Sequence, residues 1–171
     1  MLTVSKKTVE DYLKLPDGAP YQLVQGELVM NPAPSVEHQK TSKKLFNFLY
    51  QNIEFKNRGI DKENVYQPDL VVVLKDSEAK VEEKGIVGAP DVVVEILPTS
   101  SAYYDLIEKK EVYQKYKVKE YWIVDPKRKT IEIYKNSDNG FVLVASGKET
   151  GKVYSETLNL ELDLNDVFKE V

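Results

Sequence analysis

The chain predicts an α/β fold in which helices pack around a mixed β-sheet. Three observations carry this reading. Residues 65–74 and 91–97 are apolar runs of strand length. Leu45, Phe46, Leu49 and Ile53 recur at helical spacing behind Ser35, a good N-cap residue. Helical and strand patterns then follow one another along the chain, the order expected of layers built around a sheet.

The elements follow in order. Residues 8–15 read as a short helix with Val9, Tyr12 and Leu13 on one face, stopped by Pro16-Asp17-Gly18. Residues 21–24 and 27–30 read as strands joined at Gln25-Gly26, a tight hairpin turn. Asn31-Pro32-Ala33-Pro34 breaks the pattern, and the helix capped by Ser35, with Glu37 in its first turn, runs to about residue 55. The strands over 65–74 and 91–97 flank a charged stretch, residues 75–89, expected as a surface loop. Residues 105–117 form a helix with Asp105 as N-cap. Residues 120–124, 130–135 and 141–145 are strands, with turns at Pro126 and Asn139-Gly140. Glu161-Leu162-Asp163-Leu164 leads into a C-terminal helical turn. With no repeat or linker evident in 171 residues, residues 1–171 are expected to form a single domain.

Absences narrow the chemistry. The chain has no cysteine and one histidine, His38, which removes thiol chemistry, Cys-based zinc or iron–sulfur sites and multi-His metal sites. Any metal is then a hard ion held by oxygen, Mg²⁺ or Mn²⁺. Neither GxGxxG nor GxxxxGK[ST] occurs. The net charge of −4, from 24 basic and 28 acidic residues, argues against coating nucleic acid by charge alone. Arg58 and Arg128 are the only arginines, so backbone contact is favoured over base readout. No run reaches the roughly 18 apolar residues of a membrane helix, and the first residues lack the apolar core of a signal peptide. A cytoplasmic protein is expected.

Against that background Glu95 stands out. It sits inside Val92-Val93-Val94-Glu95-Ile96-Leu97, where an unpaired carboxylate would cost several kcal/mol or shift its pKa until neutral. Asp69 opens the second apolar run, Leu70-Val71-Val72-Val73-Leu74. Strand side chains alternate faces, which puts Asp91, Val93 and Glu95 on one face, and Asp69, Val71 and Val73 on one face of the other strand. Asp91 and Glu95 are roughly 13 Å apart along a strand at about 3.3 Å per residue, too far for ligands lying about 2.1 Å from one Mg²⁺. If the two strands form an antiparallel pair, Asp69 falls beside Glu95 and Asp91 falls near Leu74 at the loop end. On the following helix Leu106, Lys109, Tyr113 and Tyr116 share one face, so Lys109 interrupts an apolar stripe and can meet the carboxylates.

These residues, with Tyr21-Gln22-Leu23-Val24-Gln25-Gly26-Glu27-Leu28, Pro34-Ser35-Val36-Glu37-His38-Gln39, Gln67-Pro68-Asp69-Leu70, Ala89-Pro90-Asp91 and Glu120-Tyr121-Trp122-Ile123-Val124-Asp125-Pro126, resemble the PD-(D/E)XK nuclease superfamily. The resemblance is to a branch described as restriction endonucleases, and it spans most of the chain. It implies a restriction-endonuclease-like mixed sheet flanked by helices and metal-dependent cleavage of DNA phosphodiester bonds, with Asp69 as the superfamily's Asp and Glu95 as its second acid. The superfamily's Lys position is residue 97, here Leu97. Some members supply that lysine from a neighbouring helix, and Lys109 fits the variant. Gln22 stands where the branch commonly has Glu, and Pro98-Thr99 where it has Ser-Pro.

The expected roles follow from charge. Asp69 and Glu95 hold Mg²⁺ or Mn²⁺, and Lys109 stabilises developing negative charge or orients the attacking water. Glu27 adds a carboxylate, directly or through water, and His38 binds phosphate or supports the acids. Cutting both strands needs two sites, so a homodimer is expected. The competing readings are a non-cleaving nucleic-acid-binding or interaction domain that keeps the fold, and a carboxylate glycosidase whose activity would survive EDTA. Plain structural roles compete residue by residue: a Glu–Lys pair at Glu95, a half-buried satisfied histidine at His38, a solvated Glu27, and core packing for Tyr113, Tyr116 and Trp122.

Overall fold

The computed structural model describes residues 6–31, 33–52, 59–60, 65–82, 85–98 and 103–169. The first helix, α1 (Val9–Leu13), is held by a capping box. The Thr8 hydroxyl accepts from the Asp11 N–H at 3.3 Å, and the Asp11 carboxylate accepts from the Thr8 N–H at 3.1 Å. Strands β1 (Tyr21–Val24) and β2 (Glu27–Met30) form the expected antiparallel hairpin. Both turn residues have left-handed backbones, Gln25 at φ 49° and Gly26 at φ 86°, the geometry that matches strand twist.

Helix α2 (Val36–Asn52) starts where expected, with the Ser35 Oγ accepting from the His38 N–H at 3.1 Å. Leu45 and Leu49 are fully buried. Phe46, expected in the same stripe, is instead 37% exposed and stacks on Tyr50, one turn later. Ile53 and the expected last turn lie outside the described residues.

The expected strand over 65–74 is two strands in two different sheets. Strand β3 (Gly59–Ile60) pairs with β4 (Val65–Tyr66), and β4 also pairs with β1. Strand β5 (Leu70–Val72) belongs elsewhere and runs antiparallel to β8 (Val92–Ile96). Pro68 lies between the two, and a residue without an N–H suits a crossing from one sheet to another. The stretch expected as a loop contains β6 (Lys80–Glu82) and β7 (Gly85–Val87), an antiparallel pair. The apolar residues Val81, Ile86 and Val87 are too few to show a strand period among so many charges.

Helix α3 (Tyr103–Lys115) begins two residues before Asp105, which therefore lies in its first turn and is not its N-cap. It crosses over to β9 (Glu120–Asp125), which lies parallel to β8; parallel neighbours need such a crossover. Strands β10 (Thr130–Ser137) and β11 (Gly140–Lys148) extend the sheet antiparallel. Strands β12 (Lys152–Ser155) and β13 (Leu160–Asp163) form a small antiparallel pair, and neither was expected as a strand. Helix α4 (Leu164–Phe168) is capped by Asp163.

Among the described residues the central sheet has the order β11-β10-β9-β8-β5, and a second, six-stranded sheet has the order β2-β1-β4-β3-β7-β6. All five residues of β8 are buried, as in a central strand covered on both faces. Val92, Val94 and Ile96 pack with Leu45, Leu49, Trp122, Leu164 and Phe168 on the α2/α4 side. Val93 packs with Val71, Tyr121, Leu106 and Tyr113 on the α3 side. Alternation thus sends the side chain of Glu95 to the α3 side, beside Val93 in parity.

Candidate active site

The β5–β8 register is Leu70↔Val94, Val71↔Val93, Val72↔Val92. Continued by one residue, it sets Asp69 opposite Glu95. At the other end Asp91 meets Leu74, whose N–H donates to Asp91 Oδ2 at 2.8 Å. Asp69 and Glu95 both line one cleft of about 330 Å³, with His38, Lys109, Asn31, Gln67, Leu97 and Leu106 among its walls. The antiparallel pairing therefore brings the two acids together and holds Asp91 at the far end of the strand.

Glu95 is almost completely buried, with 5% of its surface exposed. Its Oε2 accepts from Lys109 Nζ at 3.1 Å and its Oε1 from the Tyr113 hydroxyl at 2.7 Å. Lys109 and Tyr113 are one turn apart on α3 and both buried, so the helix presents two donors to one carboxylate. Burial pushes the Glu95 pKa above the usual carboxylate value, and the nearby Asp69 charge adds to this, against the opposing pull of Lys109 and Tyr113. Lys109 does not run to solvent; it is an internal cation.

Asp69 is tied down differently. Its Oδ2 accepts from the Ile96 N–H at 2.7 Å, and its Oδ1 lies 3.0 Å from His38 Nε2. The bond to Asp69 raises the His38 pKa above its ordinary value despite partial burial, helped by the Asp69 charge and the Ile96 carbonyl. His38 sits in the first turn of α2, so the Ser35 cap that fixes the helix start also aims the imidazole at Asp69.

The remaining expectations divide. Glu27 is exposed beside the Gln25-Gly26 turn, and the cleft residues do not include it. The open end of the same hairpin reaches the cleft through Asn31, roughly 13 Å further along a strand at about 3.3 Å per residue. Gln22 is buried, and its Oε1 meets no hydrogen-bond donor among the described residues. Asp91 is a structural acid. Burial would raise its pKa, but bonds from Lys119, the Leu74 N–H and Ser77 outweigh this and hold it low. Trp122 is buried, whereas Tyr116, just past the last turn of α3, is 37% exposed.

Two features have roles that the sequence did not give them. Tyr113, expected as plain core, is a ligand of Glu95; its position one turn after Lys109 was the available signal. Gln67 and Asn31 form a polar wall, Asn31 Nδ2 donating to Gln67 Oε1 at 3.1 Å and Gln67 Nε2 to the Tyr12 hydroxyl at 2.7 Å.

Chemically, the cleft offers two carboxylates from adjacent strands, an internal ammonium and an imidazole. Among the described residues no group of three acidic or histidine side chains converges as a ready-made metal cluster. Two hard carboxylates, with the Asp69 charge raising the proton affinity of Glu95, nonetheless fit a hard divalent ion. Mg²⁺ in particular is commonly held by one or two carboxylates together with waters and substrate phosphate.

Comparison with known proteins agrees with this frame. A solved structure of a "putative nuclease belonging to DUF820" from Anabaena variabilis superimposes with a TM-score of 0.71 at 20% identity, covering 94% of this chain and 97% of that one. At this identity the likeness speaks for the fold, a mixed sheet flanked by helices. No curated protein matches the chain. The model of the family Uma2, described as "Putative restriction endonuclease", matches residues 9–165, and the chain belongs to that family.

Proposed function

We propose that this protein is a metal-dependent endonuclease that hydrolyses DNA phosphodiester bonds. The observation that carries the reading is the opposition of Asp69 and Glu95 in one cleft, with Lys109 bonded to Glu95. The family description and the fold of the structural neighbour support it.

Asp69 and Glu95 are the residues that would hold Mg²⁺ or Mn²⁺. Such an ion, when bound, polarises a phosphate and lowers the pKa of water beside it. Lys109 places a positive charge where negative charge develops on the phosphate. Tyr113 orients Glu95, and His38 orients Asp69 while offering a proton-bearing nitrogen to a phosphate oxygen. Leu97, Leu106, Pro34, Pro68 and Pro98 line the same cleft. Cleavage of both strands calls for two such sites, which a two-fold homodimer would supply.

The test is cleavage of single- and double-stranded oligonucleotides, DNA and RNA, with Mg²⁺ or Mn²⁺ and with EDTA. Wild type should cut DNA only with the metal, and Asp69→Asn or Glu95→Gln should lower the rate at least ~100-fold, the scale of losing one preorganised charge. Absence of metal-dependent cleavage together with absence of Mn²⁺ binding by calorimetry would discard the enzyme. One observation favours the rival, a non-cleaving nucleic-acid-binding domain: both Glu95 oxygens already have protein partners. DNA binding without cleavage or metal uptake is its expected result.

A further inference from the structure

A second cavity, of about 540 Å³, opens beside the β9–β10 turn and is lined by Lys127, Arg128, Lys129 and Lys169 with Glu149 and Asn165. All four cations are exposed. In a chain of net charge −4 this is a local reversal of sign, and it includes Arg128, whose planar fork suits phosphate. The acids nearby leave the cations available. Asp125 lies 3.7 Å from Arg128 Nε and Glu149 lies 3.9 Å from Lys148. The Arg128 and Lys148 side chains are each 69% exposed, and at such separations their pairs are weak.

Its position gives the patch meaning. Strands β8 and β9 are parallel, with Glu95↔Ile123 and Ile96↔Val124 in register. The turn therefore leaves the same carboxyl edge of the sheet at which Glu95 stands, the edge where ligands of parallel strands bind, with the patch on the α4 side of that edge and the Glu95 side chain on the α3 side. Lys127 lies in the turn two residues past β9, so strand rise and strand spacing bound its backbone separation from Glu95 at ~14 Å, no more than roughly four steps of a nucleic-acid duplex at ~3.4 Å each. Lys44 connects the two places. It follows His38 within two turns on α2, and its Nζ donates to the Lys169 carbonyl at 2.6 Å.

We propose that Lys127, Arg128, Lys129 and Lys169 form a binding surface for the phosphate backbone of nucleic acid, and that it holds the strand flanking the bond at Asp69 and Glu95. The proposal rests on the reading of the cleft as a nucleic-acid site. The surface meets phosphates, so it anchors the substrate without reading sequence.

The test uses the full chain and a labelled DNA duplex, with affinity followed by anisotropy in EDTA across a salt series. The Lys127→Glu, Arg128→Glu, Lys129→Glu variant should bind at least ten-fold more weakly at 0.1 M salt. Its slope of log K against log salt should be shallower by about 2–3, at ~0.9 for each phosphate no longer neutralised. The same three positions changed to Gln should give an intermediate loss, and they decide the matter if the reversed variant melts early. Hydrolysis of bis(p-nitrophenyl) phosphate, too small to reach the patch, should stay unchanged. Unchanged affinity and slope in both variants overturn the surface, as does a wild type that binds no DNA at 50 mM salt. Patch-dependent binding by a wild type that never cleaves leaves the surface standing and removes the enzyme instead.

Discussion

The Tyr113 hydroxyl donates to Glu95 Oε1 across 2.7 Å, while Lys109, one turn earlier, occupies Oε2. A single helix face thus fixes both oxygens of a carboxylate that its strand has buried. The Tyr113 ring is itself packed against Tyr121, centroids 5.3 Å apart, so the hydroxyl has little freedom to leave.

Tyr113→Phe removes one bond that favours the ionised form of Glu95. The Glu95 pKa should rise further, and the acid limb of the pH–rate profile for oligonucleotide cleavage should move to higher pH. At neutral pH the loss should be modest, about ten-fold, with a stability cost of about 1 kcal/mol. A purely structural role would lower stability and leave the profile in place.

Lys109→Met alone leaves Glu95 as a buried, uncompensated charge, since the two side chains are only 9% and 7% exposed. Urea unfolding at pH 7 should show a loss of about 3–5 kcal/mol. The double change Glu95→Gln with Lys109→Met removes both charges and should recover most of that loss. A double variant as unstable as the single one would show that the pair's geometry, and not its charge balance, supports the fold. Neither variant should cleave DNA.

The chain's single histidine can be titrated alone by proton NMR. The His38 pKa should lie above 6.5 in wild type and fall toward or below it in Asp69→Asn, because the Asp69 bond is the main cause of its elevation. The sign for stability follows. A histidine pKa raised by folding stabilises the native state below the unfolded value, and this is lost as pH rises through the folded one. The stability difference between wild type and His38→Gln should therefore be larger at pH 6 than at pH 8.5.

Glu120 is fully buried without serving the cleft. Trp122 Nε1 and the Ser155 hydroxyl donate to its Oε2 at 2.9 and 2.6 Å, and the Thr157 N–H to its Oε1 at 2.8 Å. It ties β9 to β12 and the turn after it. Glu120→Ala orphans these donors at about 1–3 kcal/mol each. Melting should drop sharply, while Mn²⁺ binding to whatever fraction stays folded should be unaffected. Lost metal affinity in folded protein would instead connect Glu120 to the cleft.

Local patterns were legible wherever one residue type dictates one geometry. Ser35 as a helix start, Gln25-Gly26 as a tight turn and the alternation along residues 91–97 all appear as expected. The same alternation put Glu95 on one face with Val93, and antiparallel pairing put Asp69 beside it. Features that depend on distant partners were not legible. Strand β4 parts from β5 because a second sheet competes for it, and Glu27 is remote because its hairpin points its turn away from the cleft. Phe46 and Tyr116 keep helical spacing, yet no neighbour covers them fully.

From its sequence alone the protein is a mixed α/β chain that must compensate a carboxylate buried in a strand, with oxygen-bound hard metals as the metal chemistry open to it. Period, capping and composition act within a few residues, so they are written along the chain. The partners of that carboxylate were decided by tertiary structure. Lys109 and Tyr113 come from α3 and His38 from the start of α2, and only the packing of these helices around one sheet edge brings the first two onto Glu95 and the third onto Asp69.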